Sequence, residues 1–280
     1  MSLGELSDEN LSPSTISRIE NGKSGSEKAK LVLKKLGVQD EEIPKMIQEM
    51  QKEEEIDQFI FRAIETQVRH DVLNASQFNE KLSRIELPAA AAYLKAKRFF
   101  IRGNYESACR FYQTVIDAEE EDCCPNSNLK SAAYLDLSVI AYQSSNFSDA
   151  LNYIEQGIQC FNRFGTRQHV KHALFYNKAM ILEQLGRIEE ADKALEPAWS
   201  ERIMIENVQT KIKVYQLKAT IKRYYKKYDE AAKILAKALD VATINDNADG
   251  AYYVLVDLGK LTRERQLETY SERCFRAAIA

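Results

Sequence analysis

The side chains with most to offer for recognition recur two residues before a small packing residue: Leu94, Asp136, Asn177, Leu217 and Asp257. Asn177 is the most informative of the five. A side-chain amide donates to a peptide carbonyl and accepts from its N–H at once, so it reads extended backbone without regard to sequence. The competing reading is a polar side chain that bonds within its own helix. Helical spacing places Tyr93, Lys97, Tyr176, Met180, Gln216, Thr220, Arg223, Tyr253 and Lys260 on the same face. Lys97, Arg223 and Lys260 suit a peptide carboxylate, but the reading that comes first for each is an ordinary solvated base.

Residues suited to catalysis do not group in this way. No Gly-rich phosphate loop, nucleophile with a base, or pair of acid and base carboxylates stands out, and the expectation is a non-enzyme without cofactor. Cys109, Cys123, Cys124, Cys160 and Cys274 show no metal-ligand spacing and read as reduced thiols. His169 and His172 share a helix face but lack companion ligands, so no metal site is expected.

The elements that must position the recognition face follow from one template. Phe175, Ala179, Ile188, Ala191, Leu195 and Ala198 describe two antiparallel helices, with small residues permitting close approach and an aromatic filling the remaining gap. The same spacing recurs as Tyr134, Ser138, Phe147, Ala150, Ile154, Gly157 and as Tyr215, Ala219, Tyr228, Ala231, Leu235, Ala238. An earlier copy reads Ala96, Tyr105, Ala108, Tyr112, Val115. A last, weaker copy reads Leu255, Gly259, Ser271, Phe275, Ala278, with Glu268 where an aromatic is expected. Small residues at 108, 150, 191, 231 and 271 set a period of 40 to 42. The pattern resembles the tetratricopeptide repeat, whose period is about 34 residues; the excess implies longer helices and loops, and the closing proline of the consensus is missing. One helix pair cannot bury its apolar face alone, so stacked copies imply a shared core and an inner groove.

Composition agrees with this class. Ten Gly and five Pro in 280 residues leave few breaks, and 45% apolar with 29% charged residues is ordinary for a globular chain. The net charge of −3 is too small to point to nucleic acid or membrane, so any DNA contact must be local. No run reaches the roughly 18 apolar residues of a membrane span and no leader pattern opens the chain, which predicts a cytoplasmic protein without a membrane partner.

The amino-terminal residues have another character. A short amphipathic segment with Leu3 and Leu6 precedes Ser12-Pro13, a capped helix start; Gly22 ends that helix and Ser26 caps a third helix through Leu31, Val32 and Leu36. Ile16, Ser17, Arg18, Ile19, Glu20 and Gly22 resemble the recognition helix of Xre-like helix-turn-helix proteins. On that resemblance Ser14, Thr15, Ser17 and Arg18 face the major groove and Lys23 lies near phosphate. The family places a further helix before the segment equivalent to Leu3 to Glu9, which predicts either an amino-terminal truncation or a decayed DNA-binding domain. Residues 39–55, charged with a thin stripe of Met46, Ile47 and Met50, read as a linker helix. Apolar periodicity resumes through Phe59, Ile60, Ala63, Ile64 and Val68, so a repeat domain is expected over 56–280.

The sequence therefore predicts an all-α chain: a partial helix-turn-helix over 1–38, the linker helix, then an α-solenoid of about five degenerate tetratricopeptide-like repeats. The combination resembles the peptide-responsive regulators of the Rgg, NprR, PlcR and PrgX group. That resemblance implies a short signalling peptide held in the concave groove, DNA bound through residues 1–38, and a homodimer. The uncovered last helix with Phe275 and Ile279 fits the dimer expectation. Two alternatives stay open: a repeat scaffold for protein–protein interaction, and a phosphatase resembling the Rap proteins, against which the Ser12 to Gly22 segment argues.

Overall fold

The computed structural model describes residues 58–85, 87–119 and 127–279. The expected helix-turn-helix of 1–38, with Ser14, Thr15, Ser17, Arg18 and Lys23, and the linker of 39–55 lie outside the described residues. Among the described residues there are twelve helices and no strand. They divide into two compact units, one running to Asn104 and one made of Tyr105–Asp117 with the residues from 127 onward.

The first unit contains α1 (residues 58–69), α2 (Ala75–Leu82) and α3 (Pro88–Ile101). Asn74 starts α2 with a reciprocal capping box to Gln77, and Pro88 opens α3 where its missing N–H costs nothing. The buried stripe of α1 is Phe61, Ile64, Glu65 and Val68. Ile64 and Val68 are buried as the periodicity predicts, whereas Phe59, at 70% exposure, Ile60 and Ala63 face outward. Arg98 spans the unit, its guanidinium 4.4 Å from the Phe78 ring centroid and Nη2 3.3 Å from the Leu73 carbonyl.

The second unit opens with α4 (Tyr105–Asp117). It continues as four helix pairs: α5 (Leu129–Gln143) with α6 (Phe147–Gln159), α7 (His169–Gln184) with α8 (Ile188–Ser200), α9 (Val208–Tyr224) with α10 (Tyr228–Ile244), and α11 (Ala248–Glu264) with α12 (Glu268–Ile279). The small residues of the template make these pairs possible. Ala108, Ala150, Ala191 and Ala231 are fully buried and Ser271 nearly so, as are Ser138, Ala179 and Ala219 on the facing helices. At Gly259 a Cβ would lie 2.6 Å from the Phe275 ring, so the last pair closes only because that side chain is absent.

Every pair turns in the same way. The carboxyl ends of α5, α7, α9 and α11 place Ser145, Gly186, Lys226 and Gln266 at positive φ, between 57° and 73°. The residue after each donates its N–H back into the helix, as Arg187 does to the Leu182 carbonyl at 2.9 Å and Lys227 to the Lys222 carbonyl at 2.9 Å. The left-handed residue itself donates only three residues back, Gly186 to Glu183 and Lys226 to Arg223. These bonds are the two of a Schellman motif, and they satisfy carbonyls that a helix end otherwise leaves unpaired.

The long period has two sources. The first two pairs are followed by extended connections, over 160–168 and 201–207, whereas α9 and α10 are 17 residues each and are joined to α11 by 245–247 alone. Asn146, Asn207 and Asn247 cap α6, α9 and α11 by accepting from the backbone N–H three residues on.

Stacking sets inside against outside. The first helices of successive pairs pack on one another, and each second helix packs on the next first helix. Two core clusters result, one centred on Ala179, Leu195, Val214 and Ile221, the next on Tyr215, Leu235, Val254 and Leu261. Adjacent helix pairs pack as in a tetratricopeptide-like solenoid, with α5, α7, α9 and α11 as its inner layer.

Candidate functional site

The inner layer carries most of the side chains singled out by spacing. On α7, Tyr176, Asn177, Met180, Glu183 and Gln184 follow one helical stripe, all partly accessible except the exposed Gln184. Tyr176 and Met180 also pack on the core cluster beneath them. Asn177 lies between these two residues on the stripe. Among the described residues its side chain has no hydrogen-bond partner.

The positions equivalent to Asn177 are occupied. Asp136 is buried and accepts from the Tyr112 hydroxyl of α4 at 2.7 Å, so it sits beneath the surface. Leu217 is buried in the core cluster. Asp257 accepts from Gln216 Nε2 at 2.7 Å, which joins α9 to α11, and Lys260 Nζ lies 3.4 Å from its other oxygen. Thr220, Arg223, Asp257 and Lys260 line one small cleft with Ala219, Ala231, Leu235 and Leu261. Arg223 is committed within it, Nη1 standing 2.8 Å from Glu264 Oε1. Tyr253 is exposed, its ring set edge-on against Tyr252 with centroids 5.1 Å apart.

Tyr93 and Lys97 belong to the first unit. Tyr93 is buried with its ring 6.3 Å from that of Phe61 and its hydroxyl 3.5 Å from Glu65 Oε1. Lys97 Nζ lies 5.4 Å from the Phe100 ring centroid.

Repeat spacing of 41 to 42 also organises contacts that side-chain type does not disclose. Four residues past the small residue of one inner helix meets five past it on the next: Tyr142 donates to Gln184, and Arg223 pairs with Glu264. Glu183 and Tyr224 occupy the equivalent rung between those two. The Glu183 carboxylate, followed by burial, raises the Tyr224 pKa. Tyr176 is pushed up to about 12, first by burial and then by the negative or ionisable groups Tyr142, Glu183 and Asp257 around it. Tyr142, Glu183, Gln184, Tyr224 and Glu264 were missed by spacing alone, yet the offset of one residue per repeat is a signal that a repeat alignment carries.

Two further networks are structural. Lys218 is buried at 7% exposure, with Nζ 2.6 Å from Asp192 and 3.1 Å from Glu196, and ties α9 to α8. Glu201, after α8, accepts from Lys171 Nζ at 2.7 Å and lies 3.0 Å from His172 Nε2. The Lys171 bond, with help from His172, holds the Glu201 carboxyl below its ordinary range.

Residues 172–198, spanning α7, its turn and α8, match the family model of the tetratricopeptide repeat. This segment is similar to a tetratricopeptide repeat. It contains the template pair from Phe175 to Ala198 and the whole inner stripe around Asn177. Among solved structures the chain is similar to the crystal structure of BtubC (BKLC) from P. vanneervenii, with 16% identity, a TM-score of 0.55, and coverage of 79% of this chain and 89% of that one. That likeness concerns the helical-repeat fold. No curated protein matches the chain. Among the described residues, no helix is long and apolar enough to cross a membrane.

Proposed function

We propose that the inner face of the second unit binds a short peptide in extended form, with Asn177 reading its backbone. Tetratricopeptide-like repeats are protein- and peptide-binding scaffolds in general, and this fold is typically non-enzymatic. The observation that carries the proposal is the contrast along one row: Asp136 and Asp257 are satisfied from within the chain and Leu217 is core, while Asn177 keeps both its donor and its acceptor uncommitted. A half-buried amide without a partner gains most from a ligand that supplies both halves of a hydrogen-bonding pair.

The finer reading is a cytoplasmic transcriptional regulator, a homodimer in which peptide occupancy controls DNA binding through residues 1–38. The pattern from Ser12 to Gly22 favours it over a scaffold without DNA contact. Retention of short random peptides by the whole chain tests the groove. Loss of retention in Asn177→Ala at unchanged thermal stability supports it, and equal retention opposes it. Gel shifts on promoter fragments, compared between the whole chain and Arg18→Ala, test the regulator reading separately.

A further inference from the structure

Glu183 stands at the middle rung of the inner-helix ladder, and it forms no ion pair among the described residues. The bases around it are engaged elsewhere. Arg187 holds Glu190 through two bonds of 2.7 and 2.6 Å, and Arg223, whose guanidinium lies 5.8 Å from the Tyr224 ring centroid, is bound to Glu264. Glu183 is only partly accessible, and its side-chain hydrogen bond is with Tyr224 rather than with a base.

Its surroundings are tyrosines. Tyr176 lies two turns earlier on the same stripe of α7, and Tyr224 faces it from α9. Tyr142 reaches from α5 to the neighbouring Gln184. The carboxyl ends of α5, α7, α9 and α11 lie side by side here, and each helix end contributes partial negative charge. Aromatic faces, a carboxylate and helix carboxyl ends all favour the same guest.

We infer that Glu183, with Tyr142, Tyr176 and Tyr224, forms the subsite of the groove that accepts a cationic side chain, lysine or arginine, of the bound peptide. The inference rests on the peptide-groove reading and names the chemistry of that groove's ligand. The cation sits against the Glu183 carboxylate with its stem along the tyrosine rings, while the adjoining backbone passes Asn177, less than two turns away on the same helix.

A short random-peptide library, retained on the immobilised full chain and sequenced, provides the test. The wild-type chain should enrich lysine and arginine about five-fold at one position. Glu183→Gln should abolish that enrichment while total retention persists, and Glu183→Lys should replace it with enrichment of aspartate and glutamate. A reversal of sign requires a folded site, so misfolding cannot imitate it. Peptides retained without cationic enrichment, or enrichment unchanged in Glu183→Gln, would overturn the subsite and leave the groove standing. Retention of no peptide would overturn both.

Discussion

The turn after α7 offers a test of the repeat geometry in which two substitutions must move stability in opposite directions. Gly186 sits at φ +73°, and a Cβ built there meets nothing within 4 Å, so Gly186→Ala introduces a backbone penalty with no clash. An L-residue in the left-handed region costs about 1–2 kcal/mol. Replacing Gly also restricts the unfolded chain, which returns about 0.4–1 kcal/mol. The net expectation is a loss of up to about 1.5 kcal/mol, about 0.8 kcal/mol at the centre of the two ranges, or on the order of 2–3 °C in midpoint for a unit of this size. Lys226 occupies the equivalent turn at φ +57°, its side chain is exposed, and no bond of that side chain is lost on removal. Lys226→Gly should therefore stabilise by up to about 1.5 kcal/mol, from the same two terms with signs reversed. Urea titrations followed by circular dichroism measure both, with the slope checked for constancy. The reasoning fails if Gly186→Ala leaves the midpoint unmoved, or if both substitutions shift it the same way.

Three further expectations concern the second unit. Tyr112→Phe removes the donor to buried Asp136 and should cost about 1–3 kcal/mol by denaturant titration, the range for a buried acceptor that loses a hydrogen bond. Gly157→Ala should destabilise by roughly 1–3 kcal/mol, because the new methyl lies 2.9 Å from buried Leu174 and 3.2 Å from Tyr134 Cβ. The Glu201 carboxyl is held below its ordinary pKa, so its contribution is present above the unfolded carboxylate value and is lost as pH falls through the lower, folded value. Thermal midpoints followed from neutral pH into acid should thus fall less steeply in Glu201→Gln than in wild type, by a modest amount because the pair is partly exposed.

The repeat spacing was legible because helix approach leaves no freedom: the positions at 108, 150, 191, 231 and 271, and at 138, 179, 219 and 259 on the facing helices, are small in every copy and buried. The turns were legible only where Gly marks them. Ser145, Lys226 and Gln266 take the same left-handed conformation without a signal in residue type, since the hydrogen bonds of the motif compensate a strain that sequence does not display. The inner face was partly legible. Asp136, on the same row as Asn177, is drawn beneath the surface because Tyr112, on the preceding helix, brings its hydroxyl to it, and that pairing joins residues 24 apart in sequence. The ladder through Tyr142, Glu183 and Tyr224 joins residues 41 to 42 apart and depends on how successive pairs stack, which the period predicts only in outline. Phe59 and Ile60 show the limit of apolar periodicity: Ile64 and Val68 are buried as expected, but Phe59 and Ile60 face outward and Phe61 takes the buried place beside them.

The regulator reading adds its own expectations. Arg18→Ala should weaken binding to a specific fragment by about 1–3 kcal/mol if Arg18 meets a base edge, whereas Lys23→Ala should weaken all fragments alike and flatten the salt dependence. Light scattering of the whole chain, with and without retained peptide, tests the homodimer.

The central claim, that the inner helices bind peptide backbone through Asn177, is tested most directly by calorimetric titration of a library-selected peptide into the whole chain and into Asn177→Ala. The account predicts an affinity loss of about 1–3 kcal/mol with an unchanged thermal midpoint in the absence of peptide. Equal affinity in the two proteins would contradict it.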